Sequence, residues 1–218
     1  LKDFKVGKVN IRKEDAIQQA NSLVMPKHRN LTGMAKKYIR SRKFDPSRLA
    51  NLWGLVSSHD PQLRKRIIAP ITFNNRLVSY QTRDITDEAK LRYITCAREL
   101  EVVHHKHIVY GYDQVPTDSV VIVEGITDVW RLGYGAVCTF GITFTPQQVR
   151  LLGNAFTNRF VLFDQTEKQA LRQGKKLAEQ LSIYPGNTEY IEIKGVNAKR
   201  DPAQYSNLFA SKLMQSLK

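Results

Sequence analysis

Cysteine is nearly absent from this chain, and acids are outnumbered. Of 218 residues only Cys96 and Cys138 are cysteine, far apart and without CxxC spacing. That excludes a disulfide scaffold and a cysteine-built zinc ribbon. No apolar run is long enough to span a bilayer, so no membrane partner is expected. Internal repeats and low-complexity tracts are lacking too. The opening Leu1-Lys2-Asp3-Phe4-Lys5 is not a charged-then-apolar leader, so no secretion signal is expected and a reducing cytoplasm is the default. What is present is a 42% hydrophobic fraction, too high for a disordered tail. The length suits one compact domain or two small ones sharing a core.

The scarcity of acids is uneven. Residues 1–110 hold 22 Lys+Arg against 10 Asp+Glu, whereas residues 111–218 hold 12 against 10; together they give the formal +14. A basic half beside a near-neutral half points to a polyanion-binding surface joined to a module with another task. A solvated basic face kept for solubility is the plainer alternative.

The patterning divides at the same place. Residues 12–24 carry helical spacing, closed by Met25-Pro26. Residues 32–43 read as a basic amphipathic helix, and Asp45-Pro46-Ser47 as the cap and first turn of another. Ile67 to Ile71 and Arg76 to Tyr80 are strand-like, with Asn74-Asn75 as the turn. From Pro116 strands and helices alternate. Val120 to Val123 is a β-branched run of the kind buried on both faces. Further strands are expected at 136–139, 160–163 and 190–193. Helices are expected from about Thr127, from Pro146, over 167–182 and from near Asp201-Pro202. This rhythm predicts βαβ crossovers in an α/β unit, a small parallel sheet flanked by helices, preceded by a basic α+β lobe. The boundaries drawn are 1–116, 117–204 and a C-terminal helix at 205–218.

Glu124-Gly125 follows directly on the first of these strands, Asp164 on the third, and Asp201 lies in the loop after the fourth. In an open parallel sheet such positions gather along one edge, where ligands bind. Asp128 stands one helical turn beyond Glu124. Carboxylates brought together repel unless a cation or proton intervenes, and oxygen-only sites select Mg2+ or Mn2+. Each acid alone is more simply a helix cap; the set reads as a metal site.

These residues resemble a known family. Val120 to Asp128, with Glu124-Gly125 and Asp128, is similar to the EGxxD motif of the TOPRIM domain. Phe140-Gly141-Ile142-Thr143 resembles the glycine turn that follows, and Val161-Leu162-Phe163-Asp164 the strand leading into the DxD motif. Upstream, Lys65-Arg66-Ile67-Ile68-Ala69-Pro70-Ile71 through Tyr80-Gln81-Thr82-Arg83 is similar to the RIIFPI…FGGR stretch of DnaG-type DNA primases. Lys90 to Thr95 resembles their PKYLNS, Lys106 with Val109-Tyr110-Gly111 their K…LYG, and Met34 to Arg42 their YLxxRG helix. EGxxD alone is weak, but the ordered series over roughly 30–205 is specific. Topoisomerases and TOPRIM nucleases do not carry the basic segment in front.

The resemblance implies an RNA-polymerase core that makes short RNA primers on single-stranded DNA from ribonucleoside triphosphates, with a replicative helicase as partner. Carried over, Glu124 is the essential acid, orienting a metal or helping deprotonate the attacking hydroxyl. Asp128 and Asp164 join it as catalytic acids, and Glu124, Asp164 and Asp201 hold Mg2+ or Mn2+. Arg66, Arg83, Arg92 and Lys106 face template or nucleotide phosphates, Arg92 replacing the family's lysine.

The chain departs from the pattern in three ways. The DxD motif is Asp164-Gln165-Thr166 and the DPD motif Asp201-Pro202-Ala203, so each lacks its second acid. Glu167 stands one position beyond the first gap. Neither a zinc ribbon nor a helicase-docking domain is expected around the core, which suits a core fragment or a compact primase of a phage or mobile element, working in the bacterial host cytoplasm. Two rivals stay open: a degenerate module gripping single-stranded DNA or a replisome partner, and a TOPRIM nuclease. His104-His105-Lys106-His107 is not expected to bind metal, since adjacent imidazoles around a cation rarely close a tetrahedral site. Trp53, Tyr80, Tyr93 and Tyr110 are interleaved with basic residues, compatible with base stacking, but each is more simply core.

Overall fold

The computed structural model describes residues 23–86 and 88–217. The helix expected over 12–24 therefore lies almost wholly outside the described residues, and residues 23–26 are not helical.

The basic half is built on an antiparallel sheet in the order β1 (His28–Arg29), β2 (Val56–Ser58), β3 (Arg66–Phe73), β4 (Arg76–Asp84) and β5 (Tyr93–Thr95). Asn74 and Asn75 join β3 to β4 with φ of 53° and 58°. Asparagine tolerates this left-handed pair, which matches the twist of a two-residue hairpin. Pro70 sits mid-strand without penalty, because β2 pairs only with Ile67 and Ile68 and leaves the proline's other edge unpaired. Two helices cover this sheet. Helix α1 (Gly33–Ser41) is capped by Thr32 and buries Ala35 and Ile39. Helix α2 (Pro46–Trp53) is capped by Asp45, whose carboxylate accepts the Ser47 and Arg48 N–H groups, and stops at Gly54 with φ 63°.

The second half carries a four-stranded parallel sheet in the order β7 (Ala136–Cys138), β6 (Ser119–Val123), β8 (Asn158–Val161), β9 (Asn187–Tyr190). Helices α3 (Ile126–Leu132), α4 (Pro146–Ala155) and α5 (Lys168–Leu181) make the crossovers, and α6 (Asn207–Ser216) follows. The expected α/β architecture is the observed one. Two strands begin earlier than the hydropathy indicates. In β8 the pairing starts at Asn158, and Arg159 is fully buried there. Its guanidinium donates to the Gly153, Phe156, Tyr184 and Pro185 carbonyls and to Thr188 Oγ1. A charge so completely bonded occupies a core position that polarity alone rejects. Strand β9 is an edge strand, with Asn187 and Glu189 exposed, so it lacks the apolar run by which buried strands are found.

One apolar cluster joins the two halves. It runs from Leu31, Trp53 and Ile67 through Tyr110 to Val121, Val123 and Phe160, while a second fills the space between the parallel sheet and α4 and α5. Arg131 on α3 binds the layers further. It donates to the carbonyls of Arg42, Lys43 and Ala203 and to Asn207 Oδ1, and its guanidinium lies 4.0 Å from the Phe44 ring centre. Both cysteines are buried and free, as small apolar residues would be. Among the described residues no helix is long and apolar enough to cross a membrane.

Candidate active-site cleft

Strand β6 is central, and the chain leaves it first to β7 on one side and later to β8 on the other. The strand order reverses here, which opens a crevice at the carboxyl ends of β6 and β8. Glu124 stands at the end of β6 and Asp164 just past β8. The Asp164 N–H donates to Glu124 Oε1 at 2.7 Å, tying the two strand ends together. A cleft of about 250 Å³ lies over them. Its acidic wall is Glu124, Asp128, Asp164, Glu167 and Asp201, and Arg42, Gln81, Arg83, Arg92 and Tyr93 stand opposite.

The acids are held differently. Asp128 is buried; its Oδ2 accepts the Gly125 N–H at 2.9 Å and its Oδ1 the Ala203 N–H at 3.1 Å. It thus closes the capping box of α3 and anchors the 201–203 turn, the plain role open to any strand-end acid. Burial, then the neighbouring Asp201, raises its carboxyl well above the ordinary range. Asp201 Oδ1 accepts the same Ala203 N–H at 2.7 Å. Asp164 Oδ1 takes both the N–H and the hydroxyl of Thr166 at 2.8 Å. Burial, then the negative charge of Asp164, Glu167 and Asp201, pushes Glu124 up to about 7, against the pull of the Asp164 N–H.

The donor set suits a hard cation. It is all oxygen, and its burial, then its negative charge, favour a proton on Glu124 that a divalent ion would displace. No three of these carboxylates bring an oxygen each within 4.8 Å of one another. A cage for a dry ion is therefore not built, but Mg2+ commonly keeps several waters and is held by one or two carboxylates plus substrate phosphate.

On the basic wall Arg83 is pinned. Its Nε donates to Tyr38 Oη at 3.0 Å, and its guanidinium lies 4.7 Å from the Tyr93 ring centre. Tyr93 Oη reaches Thr127 Oγ1 on α3 at 3.4 Å, so this wall is linked to the acid-bearing helix. Arg92 is exposed at the rim. Two other predicted cations are engaged elsewhere. Arg66 donates to the carbonyls of Leu91 and Arg92 and braces the β5 approach. Lys106 Nζ donates to the carbonyls of Thr139, Phe140 and Thr143 at 2.9, 3.1 and 2.9 Å. It holds the glycine turn from behind, where Phe140 (φ 61°) and Gly141 line the cleft. A positive φ at phenylalanine costs about 1–3 kcal/mol, and the lysine is one of the bonds that sustain it.

Sequence reasoning brought Glu124, Asp128, Asp164, Asp201, Arg83 and Arg92 to one cleft. It missed Tyr38, Gln81 and the wall-bracing role of Lys106. Tyr38 left a signal, since Ala35, Tyr38 and Ile39 share one face of α1.

No family model matches the chain, and no curated protein matches it in sequence. Solved structures do. The Aquifex aeolicus primase, in a structure of its zinc-binding and RNA polymerase domains, superposes with a TM-score of 0.70 at 16% identity, covering 85% of this chain and 55% of that one. A DnaG primase catalytic domain bound to single-stranded DNA gives 0.68 at 15%, over 84% of this chain and 70% of that one. The RNA polymerase domain of Mycobacterium tuberculosis primase DnaG gives 0.62 at 17%, over 84% and 74%. The chain spans just over half the length of the Aquifex chain. It has the fold of DnaG-type primase catalytic cores.

Proposed function

We propose that the chain is a primase core: a nucleotidyl-transfer enzyme that joins ribonucleotides on single-stranded DNA with Mg2+ or Mn2+. The observation that carries this reading is the cleft itself, with Glu124 and Asp164 tied at two strand ends on one wall and Arg83 locked on the other. An oxygen-rich wall facing a cationic wall is what a metal-bound triphosphate asks of a site.

Glu124, Asp164 and Asp201 would hold the divalent cation, which supplies charge neutralisation at the triphosphate and the leaving pyrophosphate. Glu167 lines the same wall and adds its charge to the field at Glu124, standing in for the acid that Thr166 lacks. Glu124, ionised once the cation has displaced its proton, would orient that cation or take a proton from an attacking hydroxyl. Asp128 keeps the 201–203 turn in place. Arg83 and Arg92 orient phosphates, Arg83 as a preorganised planar donor and Arg92 as an exposed charge. The basic half, 1–116, is the template-binding unit and 117–204 the catalytic one. The cytoplasm is where such a reaction would run, and a helicase the partner that would deliver template.

A second reading has its own support. Thr166 spends its hydroxyl on Asp164, and Ala203 offers only its N–H, so two positions that carry acids in the family give no carboxylate. A chain that grips DNA without polymerising would be built this way. A primer-synthesis assay with single-stranded DNA, labelled ribonucleotides and either metal separates the two. Short RNA from the wild type, absent with Glu124→Gln while DNA still binds, supports the enzyme. Absence of product with either metal, with DNA still bound, leaves the binding module.

A further inference from the structure

Behind the cleft, the segment between β5 and β6 gathers a separate set of metal-ligating side chains. Glu101, His104 and His105 each bring one ligand atom within 4.8 Å of the others. The Glu101 side chain is only 1% exposed. Its Oε1 is well satisfied, accepting the Ser79 hydroxyl at 2.6 Å, the His105 ring at 2.9 Å and the His105 N–H at 3.3 Å. Its Oε2 is sealed from solvent and accepts no hydrogen bond. His104 Nε2 stands 3.8 Å from it. A buried carboxylate oxygen without a donor calls for a partner.

Against the expectation from the adjacent histidines alone, and because buried Glu101 joins two of them, we propose that Glu101, His104 and His105 bind a divalent ion of the zinc class, with the fourth position open to water. Two imidazoles and one carboxylate are a recurrent zinc set, and nitrogen ligands select against the Mg2+ and Mn2+ suited to the cleft. The His104 and His105 side chains are 27% and 18% exposed, so the ion has a route in. Ligand atoms of a tetrahedral zinc stand about 3.3 Å apart, so loading asks the side chains to close from the present spacing of 4.8 Å or less. It also asks for two tautomer shifts. Ionised Glu101 can only accept, so His105 Nδ1 now carries the proton it donates; on coordination that proton moves to Nε2. His104 Nδ1 accepts the Lys106 N–H at 3.2 Å, which leaves its proton on Nε2. Coordination through Nε2 moves that proton to Nδ1 and breaks the Lys106 contact.

The place gives the ion a task. Ser79 belongs to β4, and Lys106, next to His105, holds the turn that walls the cleft. A bound ion would clamp the antiparallel sheet to that turn.

Untagged protein, stripped with chelator, is titrated with Co2+ while the visible d–d absorption is read. The expected result is one Co2+ per chain with strong tetrahedral bands, displaced by Zn2+ and untouched by excess Mg2+. The bands vanish in Glu101→Gln and in His104→Ala and persist in Glu124→Gln. His104 is partly exposed, so its variant keeps the fold, checked by circular dichroism, even where the Glu101 variant does not. Absence of the bands in the wild type overturns the proposal. So do bands that Glu124→Gln removes and His104→Ala leaves.

Discussion

Glu124 is one of two cleft acids whose burial favours the protonated form. Its folded carboxyl titrates near 7 against an ordinary 4.5. At this carboxyl the folded chain therefore binds more protons than the unfolded one between those values, and the stability it contributes falls as pH rises through that window. From pH 4.5 to 7 the thermal midpoint of the metal-free wild type should fall relative to that of Glu124→Gln, which lacks this contribution. Calorimetry across the range, with and without Mg2+, checks this; the cation should restore stability near neutrality. Arg83 makes a second residue-scale test. Arg83→Lys keeps the charge but loses the Nε bond to Tyr38 and the guanidinium contact with the Tyr93 ring. Loss of about 1–2 kcal/mol in binding labelled single-stranded DNA or a nucleotide is expected, read by fluorescence anisotropy.

At the scale of elements, the parallel sheet depends on close approach of α5 to β9. Gly174 on α5 lies where an added Cβ would meet Tyr190 Cε2 at 2.8 Å and Phe163 Cβ at 3.0 Å. Alanine would gain about 1 kcal/mol of helix propensity, while overpacking costs about 1–3 kcal/mol. Packing should win, and Gly174→Ala should lower the urea midpoint. Much of this layer was legible in the sequence. The β-branched run at 120–123, Pro146 at a helix start and Asn74-Asn75 at the hairpin all act through local backbone rules. What was not legible is long-range. Arg159 reads as a surface cation until the carbonyls around it are known. Lys106 reads as a phosphate ligand until the turn it holds is folded, and Glu101 reads as an exposed acid until Ser79 and two imidazoles close over it. The cleft acids were found because strand-end position is itself a local signal. Of the groups facing them, Arg83 and Arg92 were carried by the ordered motifs, while Tyr38 and Gln81 needed the fold.

At the scale of the whole molecule, a basic half and a near-neutral half meet across one shared apolar cluster. Binding of single-stranded DNA should weaken steeply with salt, the slope of log K against log salt reporting about 0.7 for each phosphate neutralised. Charge removal at the exposed Arg92 should lower that slope, while Glu124→Gln should leave it unchanged. The proposed function requires that this cleft, with Thr166 and Ala203 where carboxylates would add ligands, bind a divalent cation together with a triphosphate. Titration of Mn2+ followed by electron paramagnetic resonance, with and without a non-hydrolysable ribonucleoside triphosphate, tests it most directly. Saturable binding at the cleft is expected, tightened by the triphosphate, weakened in Glu167→Gln and lost in Glu124→Gln. Binding that ignores Glu124, or that the triphosphate does not tighten beyond its own affinity for Mn2+, would contradict the proposed function.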